Sequence, residues 1–241
     1  VALVNAGCIG VFKAIEKYEK REDNKFYLKN QNNFLFPIVQ NNCLTTLLNY
    51  KPIDNINMID YYRNLGFTVE YGRKEKPYNA LIYFQEGPYI ELINNMNMPW
   101  YIRIFLRLIG KKRFMQGMIN QENESEGFIR ICFECEKSEL EKICSMYRKY
   151  RKNIMKIKVK RVDTKGRKLQ CQTIFPEEEK IPFVRTPFEN NYKIENASHP
   201  NGAKRIISVE YGINDDDQNL LHEMNSDKIL KLKQGTGISH V

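Results

Sequence analysis

Apolar residues recur at helical spacing through Asp54–Asn64, where Met58, Tyr61, Tyr62 and Leu65 share one side, and Gly66 ends the run. Around that helix the rhythm shortens to two. Cys43–Asn49, Phe67–Tyr71, Asn79–Phe84 and Tyr89–Ile93 are β-prone runs, separated by the turn-rich Gly72–Pro77 and by Gly87-Pro88. The predicted order is β-α-β-β-β. After Asn120–Gly127, an acidic stretch that reads as a linker, the same order begins again. In Gly127–Cys135, Ile129, Ile131 and Phe133 alternate with Arg130 and Glu134 as in a strand. Ser138-Glu139-Leu140-Glu141 reads as a capping box, and Leu140, Ile143, Cys144 and Tyr147 form the core stripe of the helix it starts. Lys156–Val162, Arg167–Phe175 and Ile181–Arg185 supply the remaining strands.

Two β-α-β-β-β units in series are an internal repeat of architecture. They divide the chain into a lead segment over residues 1–42, a first module over 43–119, a second over 120–190 and an extension over 191–241. The lead segment has helical spacing in Val11–Glu22 and is otherwise unassigned. In the extension, a strand begins within Arg205–Ile213 and a short helix carries Leu220, Leu221 and Met224.

A length of 241 residues with 42% hydrophobic and 28% charged positions suits an ordered globular α+β protein and excludes collagen-like or low-complexity chains. Trp100–Ile109 is interrupted by Arg103 and Arg107 and falls short of the roughly 20 apolar residues of a membrane span. Trp100–Phe114 reads instead as a buried helix with a charged rim, with a membrane surface or a lid over the site as alternatives. No basic lead-in precedes the apolar Val1–Val11, so a signal peptide is unsupported and a cytoplasmic location is expected. The six irregularly spaced cysteines are expected as free thiols. Cys132 and Cys135 lie three apart on one strand, which puts them on opposite faces and argues against a shared metal. Cys43 lacks an assignable base and reads as a buried structural cysteine.

The formal charge of +9 is concentrated. Arg148–Lys168 holds 11 Lys or Arg and one acid, which leaves the remaining chain near −1. Within Lys156–Val162 the lysines alternate with Ile157 and Val159, as on a strand with one solvated face. No helix-turn-helix or RNA-binding signature accompanies them, so no specific nucleic-acid partner is expected.

Tyr61-Tyr62-Arg63-Asn64-Leu65-Gly66-Phe67, Tyr78–Phe84 and Gly87-Pro88-Tyr89-Ile90-Glu91-Leu92-Ile93 together resemble the first module of the vicinal oxygen chelate superfamily, in its glyoxalase-like branch. Glu126-Gly127-Phe128, Asp163–Leu169, Ile181-Pro182-Phe183 and His199-Pro200-Asn201-Gly202-Ala203 continue the likeness in order. The resemblance implies paired βαβββ modules curled into an open, cup-shaped mixed sheet. It also implies a divalent metal (Zn, Mn, Ni or Fe), held by a histidine on a first strand and a glutamate on a fourth. Glu91 takes that glutamate position, as metal ligand or as base, and strand parity independently sets Tyr89, Glu91 and Ile93 on one face. The first-strand histidine is missing between Leu44 and Ile53. Asn49 is a weak substitute for it.

Asn79, at the cup in the matched pattern, either orients a ligand or simply opens its strand. Tyr89 joins it as an orienter. His199 beside Pro200-Asn201-Gly202 is open between metal ligand, general base and loop residue. Arg185 is open between binding a carboxylate or phosphate and capping a surface edge. The function expected is binding of a small polar metabolite, with a metal-dependent lyase or isomerase acting on an α-oxo compound as one form. A metal-free drug- or metabolite-binding module is the other. A homodimer is among the expected assemblies.

Overall fold

Which side of a sheet a residue serves follows from its parity along the strand. A computed structural model describes residues 44–51, 55–73, 78–93, 98–124, 126–189, 197–225 and 227–241. The lead segment and Cys43 lie outside the described residues. The elements, in chain order, are β1 (Leu44–Lys51), α1 (Asn55–Asn64), β2 (Glu70–Tyr71), β3 (Asn79–Ile82), β4 (Tyr89–Ile93), α2 (Trp100–Leu108), α3 (Lys112–Asn123) and β5 (Gly127–Glu134). A single 3₁₀ turn then leads into α4 (Leu140–Lys149), β6 (Ile154–Val162), β7 (Lys168–Pro176), β8 (Phe183–Arg185), β9 (Val209–Ile213), α5 (Asp215–Met224), β10 (Leu230–Gln234) and β11 (Gly237–His240).

Eight strands form one open mixed sheet in the order β2-β3-β4-β1-β5-β8-β7-β6. β1 runs parallel to β4, β5 runs parallel to β8, and β1 pairs antiparallel with β5 at the centre. Read from either end, the order of strand types is the same, as the repeat in the sequence predicts. β10 and β11 flank β9 in a separate three-stranded sheet.

α1 and α4 cover one face of the large sheet, and the α2–α3 hairpin packs on Met155, Ile157 and Phe175 of the other. Ile59 and Tyr62 of α1 and Ile143 and Tyr147 of α4 pack on Ile82, Ile90, Leu92, Ile131, Phe133 and Val184. Full burial of each large aliphatic side chain here contributes about 1.5–3 kcal/mol. Tyr147 satisfies its hydroxyl by donating to the Pro182 carbonyl at 2.8 Å. Val209, Tyr211, Leu220, Leu221 and Met224 join the same cluster, so the C-terminal unit docks on the helical side. Cys135 lies in this core and Cys132 on the opposite face, as their spacing predicts, and both are free.

Four sequence expectations are corrected. Residues 120–123 are the end of α3 rather than linker, and Gln121 is buried there. Ser138 makes no cap; it lies in the 3₁₀ turn Lys137–Glu139, and α4 starts at Leu140 without a side-chain cap. β2 begins only at Glu70, because the Thr68 amide donates to His199 Nδ1 and is not free for a strand ladder. Trp100–Phe114 breaks into two helices, and α2 buries only Leu106 fully. Among the described residues, no helix is long and apolar enough to cross a membrane.

Gly66 joins the first module to the C-terminal loop. Its φ of +80° ends α1, and a Cβ there would stand 3.0 Å from the Asn201 amide nitrogen. The Asn201 amide donates to the Gly66 carbonyl at 3.2 Å, and its side-chain Nδ2 to the Leu65 carbonyl at 2.9 Å. Gly66→Ala is expected to lower stability by roughly 1–2 kcal/mol, the cost of a left-handed residue with a Cβ. Urea unfolding measures this, and an unchanged midpoint would contradict the assignment.

Candidate functional site

The face of the sheet turned away from α1 and α4 carries polar groups in register. Leu81, Glu91, Asn49 and Arg130 stand side by side on β3, β4, β1 and β5. Glu91 lies between the core residues Ile90 and Leu92 and so points to the open face with Tyr89. Burial raises the Glu91 pKa above the ordinary carboxylate range, opposed by a hydrogen bond from Asn79 Nδ2 and by the charges of Arg161 and Arg185. Asn79 is buried, and a Cβ on Gly72 would run into its side chain, so a glycine is needed where the two strands meet. Asn49 Oδ1 is buried without a hydrogen-bond partner among the described residues.

Module symmetry sets an opposite charge at the matching step of the other half. Leu47 pairs with Tyr89 and Asn49 with Glu91, whereas Cys132 pairs with Phe183 and Glu134 with Arg185. Pro182-Phe183-Val184-Arg185 thereby matches Pro88-Tyr89-Ile90-Glu91. Arg185 is buried, its Nη2 donates to Glu134 at 2.8 Å, and its Nε has no partner among the described residues. Its guanidinium lies 4.7 Å from the Phe188 ring centre and 5.7 Å from that of Tyr89. Burial opposes its charge, but the net shift is upward, and the paired Glu134 carboxylate helps to keep it protonated. Tyr89 packs against Tyr83 with ring centres 4.9 Å apart, and burial drives its hydroxyl pKa far up, so it serves as a neutral donor or acceptor. Cys132 behaves likewise: burial holds its thiol protonated, which makes it a wall and not a nucleophile.

Beside them opens an inner pocket of about 230 Å³ lined by Leu81, Tyr83, Tyr89, Glu134, Arg161, Arg185 and Phe188, among others. An outer recess of about 900 Å³, carrying Arg73, Lys160 and Lys165, shares Gly72, Arg161, Asp163 and Thr164 with it. Arg161 stands at the junction, donating to the Gly72 carbonyl at 2.7 Å, 5.5 Å from the Phe188 ring centre. Asp163 supplies little free negative charge here. Its carboxylate takes the amides of Lys165 and Arg167 and an ion pair with Arg167 at 2.6 Å, which outweigh burial and hold its pKa low.

The structure thus brings together Glu91, Asn79, Tyr89 and Arg185 and leaves His199 out. His199 is buried on the helical side, 5.2 Å from the ring centres of both Phe67 and Phe84. Its Nδ1 accepts the Thr68 amide at 3.0 Å, and burial lowers its pKa, so it is a neutral ring that ties the 197–203 loop to the sheet. It cannot share a metal with Glu91. The other donors do not fit a divalent ion either. One Glu91 oxygen is taken by an amide N–H, guanidinium groups surround it, and no three His, Cys, Asp or Glu converge among the described residues.

Arg161, Tyr83, Phe188 and Arg130 were not singled out from the sequence. Arg161 had a readable signal: it follows Ile157 and Val159 at the inward parity of β6, while Lys156, Lys158 and Lys160 are exposed. Arg130 is buried, with its guanidinium shared among the carbonyls of Ile181, Pro176 and Glu178, a staple no local pattern shows.

The model of the glyoxalase-like domain family matches residues 56–224. A hypothetical protein from Staphylococcus aureus is similar in structure, with a TM-score of 0.55 and 18% identity over 81% of this chain and 88% of that one. The methylmalonyl-CoA epimerase of Mycobacterium tuberculosis superposes with a TM-score of 0.36 and 14% identity, over 59% of this chain and 85% of its own. No curated protein matches in sequence. The family match, over most of the chain and both repeats, places this protein in the glyoxalase-like domain family of the vicinal oxygen chelate superfamily.

Proposed function

We propose that the protein binds a small anionic metabolite in the inner pocket without a metal ion. The observation that carries this reading is Arg185, a buried guanidinium that lines the pocket with its Nε unsatisfied. A buried donor without a partner costs free energy, and a ligand carboxylate or phosphate oxygen would offset it. Arg161 adds a second positive charge at the pocket mouth. Tyr83, Tyr89 and Phe188 supply flat walls for the body of the ligand, while Asn79 orients Glu91.

A second reading rests on Glu91. A carboxyl group whose pKa is raised by burial is suited to take a proton at working pH. Beside a carbonyl compound anchored by Arg185, it would abstract the proton next to the carbonyl, as an isomerase or lyase requires. Arg161 and Arg185 would favour the enolate charge that results.

Binding of small carboxylates and phosphates by the intact protein, followed by calorimetry, tests the first reading. Arg185→Gln is expected to weaken the tightest of them by about 10- to 100-fold, the value of one charge-assisted hydrogen bond. Chelator treatment is expected to leave that affinity unchanged. Equal affinity in the variant, or loss of binding with the chelator, would contradict the proposal.

Glu91 makes a separate prediction. With a raised folded-state pKa, the wild-type protein loses stability as pH rises from the ordinary carboxylate value through the raised one. Glu91→Gln keeps an acceptor for Asn79 and removes this loss. Its stability relative to wild type should therefore increase as pH rises above the ordinary carboxylate range and level off above the raised value. Urea midpoints across that range check it, and a difference that shrinks with pH would reverse the assignment.

A further inference from the structure

Helix α2 turns a wide apolar arc to solvent. Trp100, Tyr101, Ile104, Phe105 and Leu108, with Ile109 just after the helix, are 72, 57, 47, 54, 80 and 48% exposed. At 3.6 residues per turn these side chains cover about half of the helix circumference. Leu106 and Ile102 take the opposite side and pack with Phe114 and Met115 of α3, which in turn rest on Met155, Ile157 and Phe175 of the sheet. α2 is therefore the outer layer of a helical hairpin that α3 anchors. Scattered exposed apolar residues are ordinary in a folded protein, but a contiguous arc with tryptophan, tyrosine and phenylalanine is not.

The charge along this stretch of sequence has one sign. No Asp or Glu occurs between residues 98 and 121, while Arg103, Arg107, Lys111, Lys112 and Arg113 do. Arg103 pairs with Glu122, and Lys111 with Glu177. Arg107, Lys112 and Arg113 are exposed and have no ion pair among the described residues. A second copy of this chain docked face to face would bring these cations against themselves, which costs rather than stabilises. A surface of anionic lipid headgroups satisfies both features at once: the arc enters the boundary between headgroups and acyl chains, and the cations meet the phosphates.

We propose that α2 seats the protein peripherally on an anionic phospholipid surface, with Trp100, Phe105 and Leu108 in the interfacial layer and Arg107, Lys112 and Arg113 on lipid phosphates. The attachment face is separate from the ligand pocket, to whose lining α2 contributes no residue.

Trp100 is the only tryptophan in the chain and reports directly on the docked face. The full protein is titrated with vesicles of phosphatidylcholine containing phosphatidylserine, and with vesicles of phosphatidylcholine alone. The expected result is a shift of Trp100 emission to shorter wavelength, with co-sedimentation, on the anionic vesicles. Binding to the neutral vesicles, or to anionic vesicles in high salt, should be at least about tenfold weaker. Phe105→Glu with Leu108→Glu, both at exposed positions, should abolish the shift while leaving thermal unfolding unchanged. Three results would overturn the proposal. One is emission unaffected by either vesicle. Another is a lipid-free shift that follows protein concentration and a doubling of mass, which assigns the face to self-association. The last is emission already at short wavelength and shielded from an aqueous quencher in the lipid-free monomer, which assigns it to another part of the chain.

Discussion

The antiparallel pairing of β1 with β5 joins two parallel strand pairs into a single sheet, and the rest of the architecture depends on it. With that pairing in place, parity sends Ile90, Leu92, Ile131, Phe133 and Val184 to the helical side, where hydrophobic burial holds the molecule together. The same parity sends Tyr89, Glu91, Cys132, Phe183 and Arg185 to the other side. A one-residue slip at the centre would exchange the two sets, placing a carboxylate and a guanidinium in the core and the aliphatics in the pocket. Core and site are therefore specified by one register.

Duplication explains why a carboxyl group and a guanidinium share the open face. Glu91 and Arg185 stand at equivalent steps of β4 and β8, so the two modules present unlike side chains on the same face of the sheet. Neither charge is consumed by the other. Glu91 is held by Asn79, and Arg185 by Glu134, with its Nε left over. A metal-ligand set needs several donors of electron pairs facing one point. Here the groups near Glu91 are the donors Asn79, Arg161 and Arg185, and the Arg185 Nε left over suits an anionic ligand.

Periodicity made the sheet legible, because every strand of both modules alternates or runs apolar between turn residues. It also placed Glu91 on the pocket side without any structure. What it could not show depended on distant partners. His199 reads from sequence as a candidate ligand, yet the Thr68 amide and the rings of Phe67 and Phe84 hold it on the far side. Ser138 had the right spacing for a cap, but the chain enters α4 through a 3₁₀ turn that leaves the box unformed. β10 and β11 went unread, although Leu230 and Leu232 alternate with Lys231 and Lys233; a strand that short is defined by its pairing with β9. Arg161 was hidden in a run of cations until the exposure of its neighbours separated it from them.

A crystal structure of the protein grown with a small dicarboxylate and with manganese in the same drop would test the account most directly. It predicts carboxylate density against Arg185 Nε and Arg161, with Glu91 still bound to Asn79. A metal ion bridging Asn49 and Glu91, with Arg185 engaged by Glu134 alone, would contradict it.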